Sequence, residues 1–369
     1  MARSLRVAVT LSNDLVTDQR VQKVCRSLVE WGHQPLLIGR CRTESLALPA
    51  WPFKAVRMKL MFETGPSFYA ELNLRLFFKL LFTRCDAIHA NDLDTLLPAY
   101  LVARIRGKQL VYDTHEYFTG VPELVKRPKV QRIWKAIERF VFPKLKKVVT
   151  VNRSIAELYE KEYKVPVGVM RNIPSAQPIA PATRQELNLP LDAFILILQG
   201  NGINVDRGGE EAVQLMHHLD HALLLIAGSG DVIPTLKSYV ATNGLSEKVR
   251  FLPRMPYTEL MRYTSCCDLG LTLDKDTNIN YRFSLPNKIF DYIHAGIPVL
   301  ASNLPEVRRI VEGYDVGIIC NSHNPAEIAQ AVKVLLNHPD KKALFKQNCR
   351  KATSELTWEK EVQSIRPWY

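Results

Sequence analysis

Short apolar runs alternate with segments of helical spacing along the chain, and the whole alternation occurs twice. Before residue 171 it predicts strands over 5–11, 34–39, 86–90, 109–113, 147–151 and 167–170. From residue 194 it predicts strands over 194–199, 222–228, 249–252, 269–273, 298–301 and 317–320. Strands that alternate with helices form a parallel sheet wrapped by helices. We therefore expect an α/β protein with two doubly wound, Rossmann-like domains.

A proline-rich segment over 172–190 separates the two series and is typical of a linker. We predict an N-terminal domain over 1–173 and a C-terminal domain over 174–355, with residues from about 356 to 369 packing back on the first domain. In doubly wound sheets ligands bind beyond the carboxyl ends of the strands. Two such sheets facing each other are expected to form a cleft that holds the ligands.

The charge is divided unevenly. Residues 1–175 carry 29 Lys and Arg against 16 Asp and Glu, whereas residues 176–369 carry 20 against 21. A basic half joined to a neutral half indicates an anionic partner for the first half. The seven cysteines are scattered and form no Cys-x-x-Cys pair, which is typical of reduced thiols in the cytosol and predicts no zinc site. No stretch reaches about 18 uncharged apolar residues, so we expect no membrane-spanning helix.

A glycine-rich turn opens the second series. Gln199-Gly200-Asn201-Gly202 precedes Asp206-Arg207-Gly208-Gly209 and a helix. Backbone N–H groups at such a turn can bind an anion, and Arg207 adds a cation with several donors. A plain tight turn with a solvated arginine is the alternative. The spacing matches neither the dinucleotide fingerprint nor a phosphate-binding P-loop.

The segment from Ser284 to Val299 carries a second pattern. Pro286 begins a helix and Gly296 ends it. Asp291 is expected in the first turn, on the face that Lys288 shares. A carboxylate there can accept from both hydroxyls of a ribose, while the lysine reaches a phosphate. The alternative is an ordinary surface ion pair, which would contribute little.

This segment resembles the donor-site signature of glycosyltransferase family 4, whose members have the GT-B fold of two facing Rossmann-like domains. The resemblance extends over nearly the whole chain. It also includes Asp18-Gln19-Arg20-Val21, His89-Ala90-Asn91-Asp92-Leu93-Asp94, Tyr112-Asp113-Thr114-His115-Glu116, Glu138-Arg139, Asn172-Ile173-Pro174, Ala227-Gly228-Ser229-Gly230, Cys267-Asp268-Leu269-Gly270-Leu271 and Thr357-Trp358-Glu359. It implies a nucleotide-diphosphate-sugar donor as substrate, no required cofactor, and transfer with retention.

The resemblance assigns Arg207 to the donor pyrophosphate and Asp291, where Glu is usual, to the ribose. Phe283 stands where the family often has an earlier Glu, and N–H groups of residues 284–287 are expected to replace its contact. The donor-binding residues predicted in this way are Gly202, Arg207, Arg254, Ser284, Leu285, Asn287, Lys288 and Asp291.

His115 follows a predicted strand of the first domain. The resemblance implies a position near the donor sugar and the acceptor hydroxyl, where a histidine can donate to a hydroxyl or assist proton movement. The alternative is a strand-end histidine satisfied by Asp113 or Glu116. We predict Arg207, Lys288 and His115 as the catalytic group. The predicted acceptor side consists of Asn13, Asp92, His115 and Glu116.

Asp92-Leu93-Asp94 has the spacing of a metal motif found in a different glycosyltransferase class, which uses one mixed sheet. This chain predicts two sheets, so we expect no metal here. Asp94 is instead expected to cap the helix over 95–105.

Residues 72–84 are rich in Leu and Phe and carry only cations, and a second basic cluster extends over 126–147. Such segments can lie at an anionic membrane surface, with cations on lipid phosphates. The alternative for 72–82 is a buried crossover helix, and both hold if one face is buried.

We therefore predict a metal-independent, retaining glycosyltransferase, cytoplasmic and peripheral at the inner face of the cell membrane. It would use a nucleotide-sugar donor and a glycan or lipid-linked acceptor of the bacterial envelope, without nucleic acid. A nucleotide-sugar epimerase of the same fold and a non-catalytic binding protein remain alternatives.

Overall fold

The computed structural model describes residues 3–43 and 45–369, and it divides the chain into two compact units. Unit 1 consists of the chain up to Asn172 together with Trp358–Tyr369, and unit 2 consists of Ile173–Thr357. The segment over 172–190, which is predicted as a linker, contains no helix or strand, and from Ile173 onward it belongs to unit 2. Leu187 and Leu189 are buried in the core of unit 2, because the prolines there do not prevent the apolar residues from packing.

Unit 1 contains a seven-stranded parallel sheet in the order β3-β2-β1-β4-β5-β6-β7. Its strands are β1 Arg6–Asp14, β2 Gln34–Cys41, β3 Lys54–Lys59, β4 Ala87–Asn91, β5 Gln109–Thr114, β6 Val148–Thr150 and β7 Gly168–Val169. Its helices are α1 Gln19–Glu30, α2 Gly65–Phe82, α3 Leu93–Arg106, α4 Pro122–Val125, α5 Pro128–Val141 and α6 Arg153–Tyr163, together with the one-turn helix Trp358–Glu361. The strand order reverses between β1 and β4, which makes their carboxyl ends the expected place for a ligand.

Strand β3 is absent from the sequence prediction. It lies at the edge of the sheet, and its sequence, Lys-Ala-Val-Arg-Met-Lys, has only three apolar residues, none of them fully buried. An edge strand needs no continuous apolar run, because one of its sides faces solvent.

Residues 358–369 pack back on unit 1. The Trp358 ring is buried and its Nε1 donates to Ser27 Oγ at 3.0 Å. The backbone N–H of Arg171 donates to Glu361 Oε2 at 2.9 Å, and the two side chains form an ion pair. These contacts join the segment to α1 and to the last residues before the boundary at Asn172.

Unit 2 contains a six-stranded parallel sheet in the order β10-β9-β8-β11-β12-β13. Its strands are β8 Phe194–Gly200, β9 Ala222–Gly228, β10 Val249–Leu252, β11 Leu269–Thr272, β12 Val299–Ser302 and β13 Gly317–Cys320. Its helices are α7 Gly209–Gln214, α8 Ile233–Thr242, α9 Tyr257–Ser265, α10 Ile279–Arg282, α11 Asn287–His294, α12 Pro305–Gly313, α13 Pro325–Asn337 and α14 Pro339–Thr353. The order reverses between β8 and β11.

Tyr292 fixes α11 against the sheet at this reversal. Its hydroxyl donates to the Leu271 carbonyl at 3.0 Å and accepts from the Gln199 N–H at 3.3 Å. A Cβ on Gly270 would lie 2.3 Å from atoms of the Tyr292 ring, so the glycine leaves the space that the ring occupies. Helix α11, which carries Lys288 and Asp291, is thereby held over the carboxyl ends of β8 and β11.

Candidate functional site

Two predicted cations of unit 2 lie against one buried carboxylate. Asp274, two residues beyond β11, has a side chain only 2% exposed. Its Oδ1 is 2.8 Å from Arg207 Nη1, and its Oδ2 is 3.5 Å from Lys288 Nζ. Thr272 Oγ1 also donates to Oδ2, at 3.1 Å. The structure therefore brings Arg207 and Lys288 together, and it adds Asp274, which the sequence analysis missed.

The turn that carries Arg207 is fastened to the turn after β9. The Ser229 N–H donates to the Gly200 carbonyl at 3.1 Å. A Cβ on Gly228 would lie 1.9 Å from that carbonyl oxygen, so only glycine permits this approach. Gly202 lies in open space on the same turn. The Arg207 guanidinium emerges from the turn and stacks 4.0 Å from the centre of the Tyr281 ring.

The charges in this cluster are strongly coupled. Burial alone would raise the pKa of Asp274, but Lys288 and Arg207 outweigh it and hold the pKa below its ordinary value. Burial likewise opposes the charge of Arg207, and the Asp274 carboxylate more than compensates, so the pKa of Arg207 is raised. The cluster therefore has two cations and one anion.

Asp291 lies in the second turn of α11, not in the first as predicted, because the helix begins at Asn287. Both of its carboxylate oxygens have a donor. The Tyr257 hydroxyl donates to Oδ1 at 2.7 Å, and Gln199 Nε2 donates to Oδ2 at 3.0 Å. Thr264 Oγ1 donates in turn to Gln199 Oε1 at 2.7 Å, which fixes the orientation of the amide.

Tyr257 is a second residue that the sequence analysis missed. Burial and the Asp291 carboxylate raise its pKa, so the hydroxyl remains a donor. The predicted contact Arg254 is exposed and lies three residues earlier in the loop before α9. A tyrosine at the start of a helix does not by itself predict a functional contact. The hydrogen bond to Asp291 becomes visible only once α11 is placed beside α9.

The segment before α11 only partly meets its prediction. Both the N–H and the hydroxyl of Ser284 donate to the Tyr281 carbonyl, at 3.1 and 2.9 Å, so that N–H is already occupied. Leu285 packs against the core of unit 2. Asn287 and Lys288 are the first residues of α11, where N–H groups have no acceptor inside the helix. Of the predicted N–H donors over 284–287, Asn287 therefore remains able to bind an anion, and the N–H of Lys288 adds a donor that was not predicted.

In unit 1, both ring nitrogens of His115 face oxygen acceptors. Nδ1 is 3.2 Å from Asp92 Oδ2, and Nε2 is 3.2 Å from Asn91 Oδ1. Asn91 Nδ2 donates to the Thr10 carbonyl at 3.0 Å, which turns the amide oxygen toward the ring. Two acceptors favour the doubly protonated imidazolium. Burial opposes the charge, but Asp92 and Asp113 outweigh it and raise the pKa of His115.

Asp113, considered above as a partner for His115, is 3.9 Å from its Nε2. It pairs chiefly with Arg20, whose Nε and Nη2 donate to its two oxygens at 3.0 and 2.8 Å. Both side chains are buried, and Arg20 Nη1 also donates to the Met170 carbonyl at 2.7 Å. Despite burial, Arg20 holds the pKa of Asp113 well below its usual range. The pair is a structural element behind the predicted acceptor side.

The predicted capping role of Asp94 is wrong. Helix α3 begins at Leu93, and Asp92 occupies the position before it with φ 57°. The Asp92 carboxylate does not cap the helix, since it accepts from the His115 backbone N–H at 2.9 Å. Asp94 is buried in the first turn, and its Oδ1 has no hydrogen-bond partner among the described residues. Burial, followed by the Asp92 charge, raises the pKa of Asp94 to about 7.

The remaining acceptor-side residues, Asn13 and Glu116, are both exposed. Asn13 lies near the end of β1, and Glu116 follows His115 beyond β5. The four predicted residues thus come from the carboxyl ends of β1, β4 and β5, which are neighbours in the sheet.

Two family profiles together match most of the chain. Residues 18–176 match "Glycosyltransferase Family 4", and residues 181–352 match "Glycosyl transferases group 1". The chain belongs to glycosyltransferase family 4. The resemblance inferred from the sequence is confirmed.

Among its relatives is the D-inositol 3-phosphate glycosyltransferase of Thermobispora bispora, 26% identical over 227 residues, or 57% of this chain and 51% of the relative. The chain spans about half the length of the curated relatives it matches. The sucrose-phosphate synthase of Thermosynechococcus elongatus has a TM-score of 0.81 at 16% identity, covering 99% of this chain and 98% of its own. The Anabaena protein HepE in complex with UDP-glucose has a TM-score of 0.75 at 14% identity, covering 98% of each. These similarities confirm the GT-B fold with two Rossmann-like domains.

Proposed function

We propose that this family 4 protein transfers a sugar from a nucleoside-diphosphate sugar to a hydroxyl of a glycan or lipid-linked acceptor. The observation that carries the proposal is the pair Arg207 and Lys288, which contact the same carboxylate where the strand order reverses between β8 and β11. Lys288 belongs to α11, the helix that also carries Asp291. A diphosphate matches two adjacent cations, and a ribose diol matches an oriented carboxylate. The UDP-glucose bound to the Anabaena relative is a donor of this class.

During transfer, the bond between the anomeric carbon and the β-phosphate oxygen breaks, and a bond from the acceptor oxygen to that carbon forms. The acceptor proton passes to the departing phosphate, whose developing charge Arg207 and Lys288 stabilise. The family resemblance supports retention of configuration, a front-side displacement, and chemistry that requires neither a metal nor another cofactor.

Unit 1 provides the acceptor side in this proposal, through Asn13, Asp92, His115 and Glu116. Because the His115 ring nitrogens already face two acceptors, we infer that it acts as a fixed cation and not as the proton acceptor. Its charge orients Asp92, whose carboxylate is then available to an acceptor hydroxyl.

We further propose that unit 1 binds an anionic membrane surface through a basic–apolar face on α2 and α3. Helix α2 buries one side in the unit, as a crossover helix does, and exposes the other. The face consists of Leu74, Phe78, Phe82, Leu101 and Ile105 with the exposed cations Arg75, Lys79 and Arg104. Apolar side chains between cations favour an interface with anionic lipid, and the basic cluster over 126–147 adds further charge.

The membrane proposal concerns peripheral binding. Within the described residues, no helix has both the length and the hydropathy needed to cross a membrane. All seven cysteines are free, which supports a reducing compartment and hence the cytoplasmic side of the membrane. A bacterial envelope glycan or glycolipid is the acceptor class that such a location favours.

Calorimetric titration with UDP, GDP, ADP and their glucose and mannose conjugates tests the donor site. We expect at least one to bind, and Arg207→Ala or Lys288→Ala to weaken it by about 10- to 100-fold, since charge-assisted bonds contribute roughly 1.5–3 kcal/mol each. Arg308→Ala, an exposed arginine on α12 of the same unit, is the matched control and should bind as the wild type does. Binding of none of these ligands by the wild type would overturn the donor-site proposal.

Flotation with vesicles tests the membrane face. The protein should float with phosphatidylglycerol-containing vesicles and not with pure phosphatidylcholine. The double variant Phe78→Ser/Phe82→Ser should lose flotation. The control Leu344→Ser removes an exposed apolar side chain of unit 2 and should leave flotation unchanged. Undiminished flotation of the double variant would exclude this face as the contact.

A further inference from the structure

We propose that Asp274 is an internal counter-ion that competes with the donor phosphates for Arg207 and Lys288. By this competition it limits how tightly unit 2 holds the nucleoside diphosphate and promotes its release. The proposal rests on the proposed function, since it takes these two cations to be the phosphate-binding groups.

The geometry gives Asp274 one contact with each cation. Arg207 is 2.8 Å from one carboxylate oxygen and Lys288 is 3.5 Å from the other, while Thr272 holds the carboxylate in place. The Asp274 side chain is 2% exposed, whereas those of Lys288 and Arg207 are 12% and 30% exposed. The anion is thus behind the cations, and the cations keep an accessible side for a ligand.

This arrangement has an electrostatic consequence for the unliganded protein. Without Asp274, two like charges would share a largely buried position with no anion to compensate them, which is costly. With Asp274, the cluster has a net charge of +1, so an arriving diphosphate is attracted by one net charge and not by two. Removing the Asp274 charge is therefore expected to lower the stability of the free protein and to raise its affinity for phosphate.

The coupling also suits turnover. When the diphosphate leaves, Asp274 compensates the charges of Arg207 and Lys288, so the two cations need no new partner. A site without this anion would hold its product more tightly. Asp274 acts through the two cations and is a positioning residue, not a catalytic one.

Asp274→Asn tests the proposal, because asparagine keeps the size of the side chain and one acceptor oxygen, replaces the other oxygen by an amide NH₂ donor, and removes the charge. The probes are inorganic pyrophosphate and the nucleoside diphosphate among UDP, GDP and ADP that the wild type binds. We expect a dissociation constant at least about tenfold lower than that of the wild type. The free variant should melt at a lower temperature, and a saturating probe should raise its melting temperature by more than it raises that of the wild type. The affinity should also fall more steeply with added KCl.

Asp268→Asn is the matched control. Asp268 also binds one arginine and one lysine, with Arg184 Nη2 at 2.6 Å and Lys342 Nζ at 3.0 Å, but it precedes β11 and so lies at the opposite end of that strand. This variant should melt at a lower temperature while its dissociation constants and salt dependence stay those of the wild type. It separates the loss of a buried ion pair from the loss of a competitor for phosphate.

The outcomes distinguish the two proposals. If the wild type binds neither pyrophosphate nor any of the nucleoside diphosphates, the proposed function fails. If the wild type binds and Asp274→Asn binds equally or more weakly, the counter-ion proposal fails and the donor site stands. Should Asp274→Asn not be recovered in folded form, it and Asp274→Ser are purified in pyrophosphate, which should rescue them; lack of rescue also overturns the proposal.

Discussion

Replacing Asp94 by asparagine should change how the stability of unit 1 depends on pH. The Asp94 side chain is buried, one of its oxygens has no hydrogen-bond partner in the described part of the chain, and its pKa is raised to about 7. The carboxyl of an aspartate in an unfolded chain titrates near 3.9. Between about pH 4 and 7 the folded protein therefore holds a proton that the unfolded chain releases.

The sign and size follow from proton linkage. A raised carboxyl pKa gives stability below the unfolded pKa that is lost as the pH rises toward the folded pKa, and no further change occurs above it. Relative to its value at low pH, the free energy of unfolding of the wild type is lower by about 1.5 kcal/mol at pH 5 and by about 4 kcal/mol at pH 8. Asparagine does not titrate, so the stability of Asp94→Asn relative to the wild type should increase by about 2.5 kcal/mol between these two pH values.

Tryptophan fluorescence makes this measurable in unit 1 alone. All five tryptophans belong to that unit: Trp31, Trp51, Trp134, Trp358 and Trp368. Urea titrations at pH 5 and pH 8 then give the difference in the free energy of unfolding between the variant and the wild type. The control is Asp86→Asn, since the Arg6 side chain lowers the pKa of Asp86 and its contribution is complete at both pH values. If the free energies of unfolding of Asp94→Asn and the wild type differ by the same amount at pH 5 and at pH 8, the raised pKa of Asp94 is refuted.

Three further changes test the contacts described above. Tyr257→Phe removes a donor from Asp291, the carboxylate proposed to bind the ribose. It should raise the dissociation constant for the nucleoside diphosphate about 3- to 10-fold by calorimetry, with the melting temperature nearly unchanged. An unchanged constant would separate Tyr257 from the site. Gly270→Ala places a methyl group 2.3 Å from the Tyr292 ring and should destabilise unit 2 by roughly 1–3 kcal/mol in urea titrations followed by circular dichroism; a neutral effect would show that the ring can move. Arg20→Met leaves the buried Asp113 without its cation and should destabilise unit 1 by about 3–5 kcal/mol by tryptophan fluorescence; a loss below about 1 kcal/mol would contradict the role given to this ion pair.

The parallel sheets could be predicted from the sequence because each central strand is a short apolar run next to a helix. The same criterion could not find β3, an edge strand in which three of the six residues are lysine or arginine. It also mistook Leu187 and Leu189 for parts of a linker, since proline content was a stronger local signal than two apolar residues.

The candidate site was only half predictable for a different reason. Arg207 and Lys288 lie within local patterns, a glycine-rich turn and a helix start, which the sequence displays directly. Asp274 and Tyr257 acquire their partners through the pairing of β8 with β11 and the placement of α11 over both strands. The sequence does offer one clue, because Asp274 follows the end of a predicted strand, where ligand-binding side chains are common.

The return of residues 358–369 to unit 1 affects how the protein is made. The ribosome completes the first 172 residues, then must synthesise all of residues 173–357 before Trp358 emerges to cover Ser27. At about 5–20 residues per second this interval lasts roughly 10 to 40 s. Throughout it, the nascent first unit lacks part of its apolar cover, while the second unit can already fold. Unit 2 can thus be complete on the ribosome before unit 1, although its sequence comes later.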